Sequence, residues 1–183
     1  MRVLLDACVL YPTVLREILL GCAGEGLYVP LWSARILEEW ARAARRLGPE
    51  GEAVARAEVA SARARFPAAE VAGIEGHERR LWLPDPDDVH VLAAAVAGSA
   101  DAILTWNAAD FPRGVLAEEG LLRLDPDQFL AGLAEAGPVA VGRVAAASAA
   151  EATRLSGEEW TVRRLLRKAR LPLLARTLAR VSG

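Results

Sequence analysis

Short apolar runs that close on an acid or a proline alternate along this chain with longer stretches of helical spacing. Arg2 to Asp6, RVLLD, reads as a strand because its Val-Leu-Leu run ends at an acid followed by small residues, which puts Asp6 at the strand's carboxyl end. Tyr11-Pro12-Thr13 breaks the chain, and Val14 to Cys22 has the spacing of a helix closed by Gly24 and Gly26. Leu27 to Pro30 is a second strand. Ser33 then precedes a helix with an apolar stripe of Ile36, Leu37, Trp40, Ala44 and Leu47, ended by Gly48. Pro49 to Phe66 is a helix rich in Ala, Glu and Arg, whose thin apolar side suits the outside of a fold.

Ala69 to Gly73 is a candidate short strand, and Ile74 to Leu81 a turn or short helix. Pro84 to Asp87 makes a turn, Asp88 opens a helix through Ala97, and Ala102 to Thr105 is a buried strand followed by a polar turn from Asn107 to Pro112. Leu121 to Leu124 is the last strand, and Pro126 stands in the first turn of the helix after it. This alternation predicts an α/β fold, a parallel sheet with right-handed crossovers and helices on both faces. Ligands in such sheets bind at the carboxyl ends of the strands, where strand order reverses. From Pro138 onward the pattern is helical throughout, two or three helices punctuated by Gly and Pro. The expected division is therefore 1–137, an α/β domain, and 138–183, a basic helical extension.

At 183 residues and 53% hydrophobic, the chain can bury one sizeable core. It has no apolar run of membrane-spanning length and no leader pattern at Met1, so a soluble cytoplasmic protein is expected. Cys8 and Cys22 are expected to be small buried hydrophobes. The net charge of −2 conceals an asymmetry: residues 138–183 carry nine basic side chains against three acidic ones, while the rest is acidic. A basic tail suits nucleic acid, an acidic protein, or simply a solvated arginine-rich face.

The acids supply the chemical signal. Asp6 follows the first strand, Asp85, Asp87 and Asp88 precede a helix, Asp110 follows the AILT strand, and Glu38 and Glu39 lie on the helix after the second strand. Converging carboxylates repel unless a cation neutralises them, and an all-oxygen donor set suits Mg²⁺ or Mn²⁺ rather than zinc. Such an ion can bind a phosphate oxygen and activate water, so phosphodiester hydrolysis is the reaction best suited. Asp85 and Asp87 read as turn and cap residues, and His90 as a packing or hydrogen-bonding residue. A haloacid-dehalogenase-like phosphatase would need a second Asp where Cys8 stands.

VLLDACVLYP, SARILEEW, LPDPDDVHVLAAAV, ADAILTWNAADFP and DPDQFLAGL, in this order over residues 2 to 135, together resemble the PIN domain, and within it the VapC-type toxins of bacterial toxin–antitoxin pairs. The C-terminal helices resemble an extension found in a subset of these toxins. The resemblance implies a three-layer α/β/α, Rossmann-like fold and a Mg²⁺- or Mn²⁺-dependent ribonuclease that cleaves tRNA or rRNA and is silenced by a cognate antitoxin; a homodimer is left open. It also implies a site of Asp6, Glu39, Asp88 and Asp110. Many relatives have Thr-x-Asp where this chain has Thr105-Trp106-Asn107, so the fourth position is open between Asn107 and Asp110. By that likeness Asp6 and Asp88 hold the ion, Glu39 and Asp110 hold its waters or a second ion, and water attacks phosphorus in line. The competing expectation is a PIN-fold RNA- or protein-binding module with little or no catalysis.

Overall fold

Three successive residues of the first strand, Val3, Leu4 and Leu5, are fully buried, as expected of a parallel strand covered on both faces. This strand, β1 (Arg2–Leu5), is the centre of a five-stranded, all-parallel sheet with β2 (Val29–Ser33), β3 (Glu70–Val71), β4 (Ala102–Leu104) and β5 (Leu122–Leu124), in the order β3-β2-β1-β4-β5. Leu4 pairs with Leu31 on one side, and Leu5 with Leu104 on the other. The chain moves outward from β1 to β3, returns, and moves the other way through β4 and β5. The switch point therefore lies between the carboxyl ends of β1 and β4. The computed structural model describes residues 1–48 and 50–181; Pro49, expected to open the third helix, and Ser182 and Gly183, expected in the extension, lie outside the described residues.

The helices around the sheet are α1 (Ala7–Leu10), α3 (Ala34–Ala43), α4 (Gly51–Arg65), α5 (Glu75–Glu78), α6 (Val89–Ala97) and α7 (Arg113–Glu118). Ser33 caps α3 as expected, its Oγ accepting from the Ile36 amide at 3.2 Å. Ile36, Leu37, Trp40 and Ala41 form the buried face of α3. Leu47 departs from the expected stripe and is 70% exposed, because the chain tightens into a 3₁₀ turn over Ala44–Leu47 and the narrower turn rotates it off the apolar face. On α4 only Ala55, Val59 and Ala62 are buried, the thin apolar side foreseen.

The second strand runs past Pro30 to Ser33, two residues later at its start and three at its end than the pattern suggested. Pro30 is tolerated because β3 pairs only with Trp32 and Ser33, so no neighbour calls for the missing N–H. The single turn of α1 and the six residues of α7 have no counterpart in the sequence pattern; both are too short to carry a helical period.

The described chain groups into two compact units, one of Met1–Tyr11 with Tyr28–Leu124, the other of Pro12–Leu27 with the chain from Asp125 onward. The second unit holds α2 (Thr13–Gly24), α8 (Pro126–Ala136), α9 (Pro138–Ser156), α10 (Val162–Lys168) and α11 (Pro172–Val181). This grouping differs from a division after residue 137, because α2 and α8 find their partners among the later helices. A Cβ on Gly21 would lie 2.5 Å from Val144 Cγ1, so α2 approaches α9 as closely as a hydrogen allows. Asp127 of α8 accepts from the backbone amides of Leu173 and Leu174, both at 2.8 Å, satisfying free N–H groups at the start of α11. No helix among the described residues is long and apolar enough to cross a membrane.

Candidate metal and nuclease site

Asp6 leaves the end of β1 at the switch point, 7% exposed. The Thr105 hydroxyl, just beyond β4, donates to Asp6 Oδ2 at 2.6 Å, and the Cys8 thiol donates to the same oxygen at 3.1 Å. The Asn107 amide N–H donates in turn to Thr105 Oγ1 at 2.9 Å. The strands' register thus brings the first acid and the Thr-Trp-Asn turn together. Cys8 is more than the small hydrophobe expected of it: burial, then the neighbouring Asp6 charge, push its thiol up to about 12, so it stays protonated and serves as a donor. Cys22, fully buried, does match the expectation.

Among the described residues, Asp85, Asp88 and Asp110 form a close acidic group. Each offers a carboxylate oxygen, and the three oxygens lie within 4.8 Å of one another. Asp88 ends the 3₁₀ turn Pro86–Asp88 and makes no side-chain cap to α6, which leaves its carboxylate free to face the others. Asp85 Oδ1 accepts from the Asp87 amide at 2.9 Å, so it fills the turn-forming role read from the sequence and also joins the group. Burial first, then the charges of Asp6, Asp85 and Asp110, push the Asp88 carboxyl up to about 6. Like charges held this close lower their energy either by taking up a proton or by sharing a cation. The donor set is all oxygen, which fits a hard divalent ion.

Asn107 Nδ2 donates to Asp88 Oδ2 at 3.2 Å. Asn107 therefore supports Asp88, while Asp110 stands within the carboxylate group.

The pair Glu38 and Glu39 also separates. Glu38 is held on the far side of α3 by Arg42 at 2.7 Å and Arg56 at 2.8 Å. Glu39 Oε1 lies 3.0 Å from Nε2 of the buried His90 on α6 and 3.2 Å from Arg35 Nε. The His90 contact is close but out of line for a well-formed N–H···O bond. Burial pushes the Glu39 carboxyl up, but His90 and Arg35 outweigh it and hold the group below the ordinary carboxylate range. Glu39 and Asp6 both stand outside the group of three oxygens. Asp85, read from the sequence as a turn and cap residue, also joins this group; its place three residues before Asp88, on the same turn, was the available signal.

Among known families, the model of the PIN domain matches residues 2–109. Searches of curated proteins and of solved structures find no match. PIN domains are generally metal-dependent nucleases, and the all-parallel sheet with an acidic group at its switch point accords with that. With the match covering more than half of the chain, from β1 through the Asn107 turn, this protein belongs to the PIN domain family.

Proposed function

We propose that this protein is a Mg²⁺- or Mn²⁺-dependent endoribonuclease, the toxin of a VapC-type toxin–antitoxin pair, acting in the cytoplasm on tRNA or rRNA. The observation that carries the reading is the convergence of Asp85, Asp88 and Asp110 within 4.8 Å, with Asp88 pushed up to about 6 by burial first and then by the neighbouring carboxylates. Asp88 and Asp110, joined by Asp85, would hold the ion from one side and Asp6 from the strand end. Glu39 would act from the rim, kept ionised by Arg35 and His90. Asn107 and Thr105 orient Asp88 and Asp6 through one hydrogen bond each. The ion, when bound, supplies positive charge to a phosphate oxygen and lowers the pKa of water. The charge of +6 over residues 138–183 supports contact with the RNA backbone or with an acidic antitoxin.

The test is cleavage of structured RNA by the purified protein with Mn²⁺. Cleavage should vanish on chelation and in Asp6→Asn while the circular-dichroism spectrum stays unchanged. The basic C-terminal charge also favours a second reading, an RNA- or protein-binding module with little catalysis. Metal-independent RNA binding without cleavage selects that reading.

A further inference from the structure

A cleft of about 400 Å³ lies directly behind the acidic turn. Pro86 and Val89 line it, while their chain neighbours Asp85 and Asp88 belong to the carboxylate group, so the same turn serves both. Leu81 and Leu83 give the cleft further apolar wall, and Trp82 stands at its edge 65% exposed. A large indole left mostly in solvent beside an acidic site adds little to the core and is available to a flat partner.

The polar groups of the cleft are few and directional. Arg35 is fixed by Glu39 at 3.2 Å, by Glu78 at 3.9 Å and by the Asp87 carbonyl at 3.3 Å, which leaves a planar donor at the rim beside the Glu78 acceptor. His90, 1% exposed, forms part of the wall, and its Nδ1 has no hydrogen-bond partner among the described residues.

We infer that this cleft receives one unpaired nucleobase of the RNA whose phosphate lies at the carboxylate group, with the Trp82 indole as its stacking surface and Arg35 and Glu78 meeting its polar edge. The inference rests on the nuclease reading and narrows it, because a base can enter only from a single-stranded loop, bulge or end. A continuous duplex keeps its bases stacked and would leave the cleft unused. An apolar peptide side chain is less well matched, since it would offer nothing to the exposed polar groups of Arg35 and Glu78.

The test uses the full chain and fluorescein-labelled ten-nucleotide RNAs, one fully natural and a set with a single abasic nucleotide moved stepwise. Binding is measured with Ca²⁺ in place of Mn²⁺, and cleavage separately with Mn²⁺. Trp82→Ala should weaken binding of the natural RNA about 5- to 150-fold, the worth of one base–aromatic stack, with Trp82→Phe restoring most of it. One abasic position should cost the wild type a similar factor and cost Trp82→Ala almost nothing more. Independent losses from the abasic nucleotide and from Trp82→Ala, or full affinity in Trp82→Ala, would overturn the inference. The outcomes also separate the two claims: cleavage without this coupling removes the base site and keeps the nuclease, while coupling without cleavage keeps the base site and removes the nuclease.

Discussion

The Thr105 hydroxyl and Asp6 Oδ2 are 2.6 Å apart, a hydrogen bond between the ends of two adjacent parallel strands ninety-nine residues apart in sequence. It is the principal donor to a nearly buried carboxylate whose other side-chain donor is a weak thiol. Thr105→Val keeps the shape and removes the donor. It should lower stability by about 1–3 kcal/mol and reduce turnover more than it raises KM, because Asp6 loses its orientation. Thermal melts and steady-state kinetics on the same preparation check both effects; Thr105→Ser should recover most of each.

Asp88 makes metal binding and stability respond to pH in opposite directions. Its carboxyl stands at about 6 against an ordinary 3.8, so the folded protein holds this proton more tightly than the unfolded chain does. The stability it contributes is present in full below the unfolded value and is lost as pH rises through about 6. In metal-free protein, Asp88→Asn should therefore raise the melting temperature at pH 7.5, by an amount equivalent to about 1–2 kcal/mol once solvent screening is allowed for, and leave it unchanged near pH 3.5. Metal affinity of the wild type should fall as pH drops below about 6, as calorimetric titrations with Mn²⁺ at pH 5 and 7.5 would register.

Asp85 and Asp87 are near neighbours with different surroundings. Asp85 belongs to the carboxylate group and Asp87 does not. Asp85→Asn preserves an acceptor for the Asp87 amide yet removes a charge from the group. It should weaken Mn²⁺ binding about tenfold or more, as expected when one ligand of an oxygen site is neutralised. Asp87→Asn should bind Mn²⁺ as the wild type does. Equal affinities for the two variants would remove Asp85 from the site.

Glu38 and Glu39 allow a similar contrast on one helix. Glu39→Gln should depress cleavage, because the carboxylate held by Arg35 and His90 loses its charge. Glu38→Gln should leave cleavage unchanged, since its partners are Arg42 and Arg56 on the opposite side. Parallel kinetic assays decide the matter.

In the helical unit, Gly21→Ala should destabilise by about 1–3 kcal/mol, because the added methyl meets the stiff Val144 side chain at 2.5 Å and α2 must move away from α9. Chemical denaturation gives the difference. A simultaneous Val144→Ala change should recover part of it, as a steric origin requires.

Much of the fold is legible in local pattern. β1 and β4 declare themselves as short apolar runs, Ser33 as a cap, Pro126 as a first-turn residue, and the start of α6 at Val89 follows from the acidic turn before it. The misreadings are equally local in cause. Leu47 fails because the helical period stops holding where the turn tightens, and the start of β2 fails because Leu27 still donates its amide to Cys22 at the end of the preceding helix. The site was harder to read, because a side chain's partner across the sheet leaves no periodic trace.

By itself the sequence determined the order of elements, the parallel α/β architecture and the presence of acids at the carboxyl ends of strands, since these depend on side-chain spacing and turn chemistry within a few residues. Only the tertiary structure decided that Asp85 joins Asp88 and Asp110, that Asn107 supports Asp88, that Glu39 rather than Glu38 turns toward His90, and that α2 belongs with the C-terminal helices. Those outcomes depend on strand register and helix packing between segments far apart along the chain, where a shift of one residue exchanges the side chain that faces the site for the one that faces away.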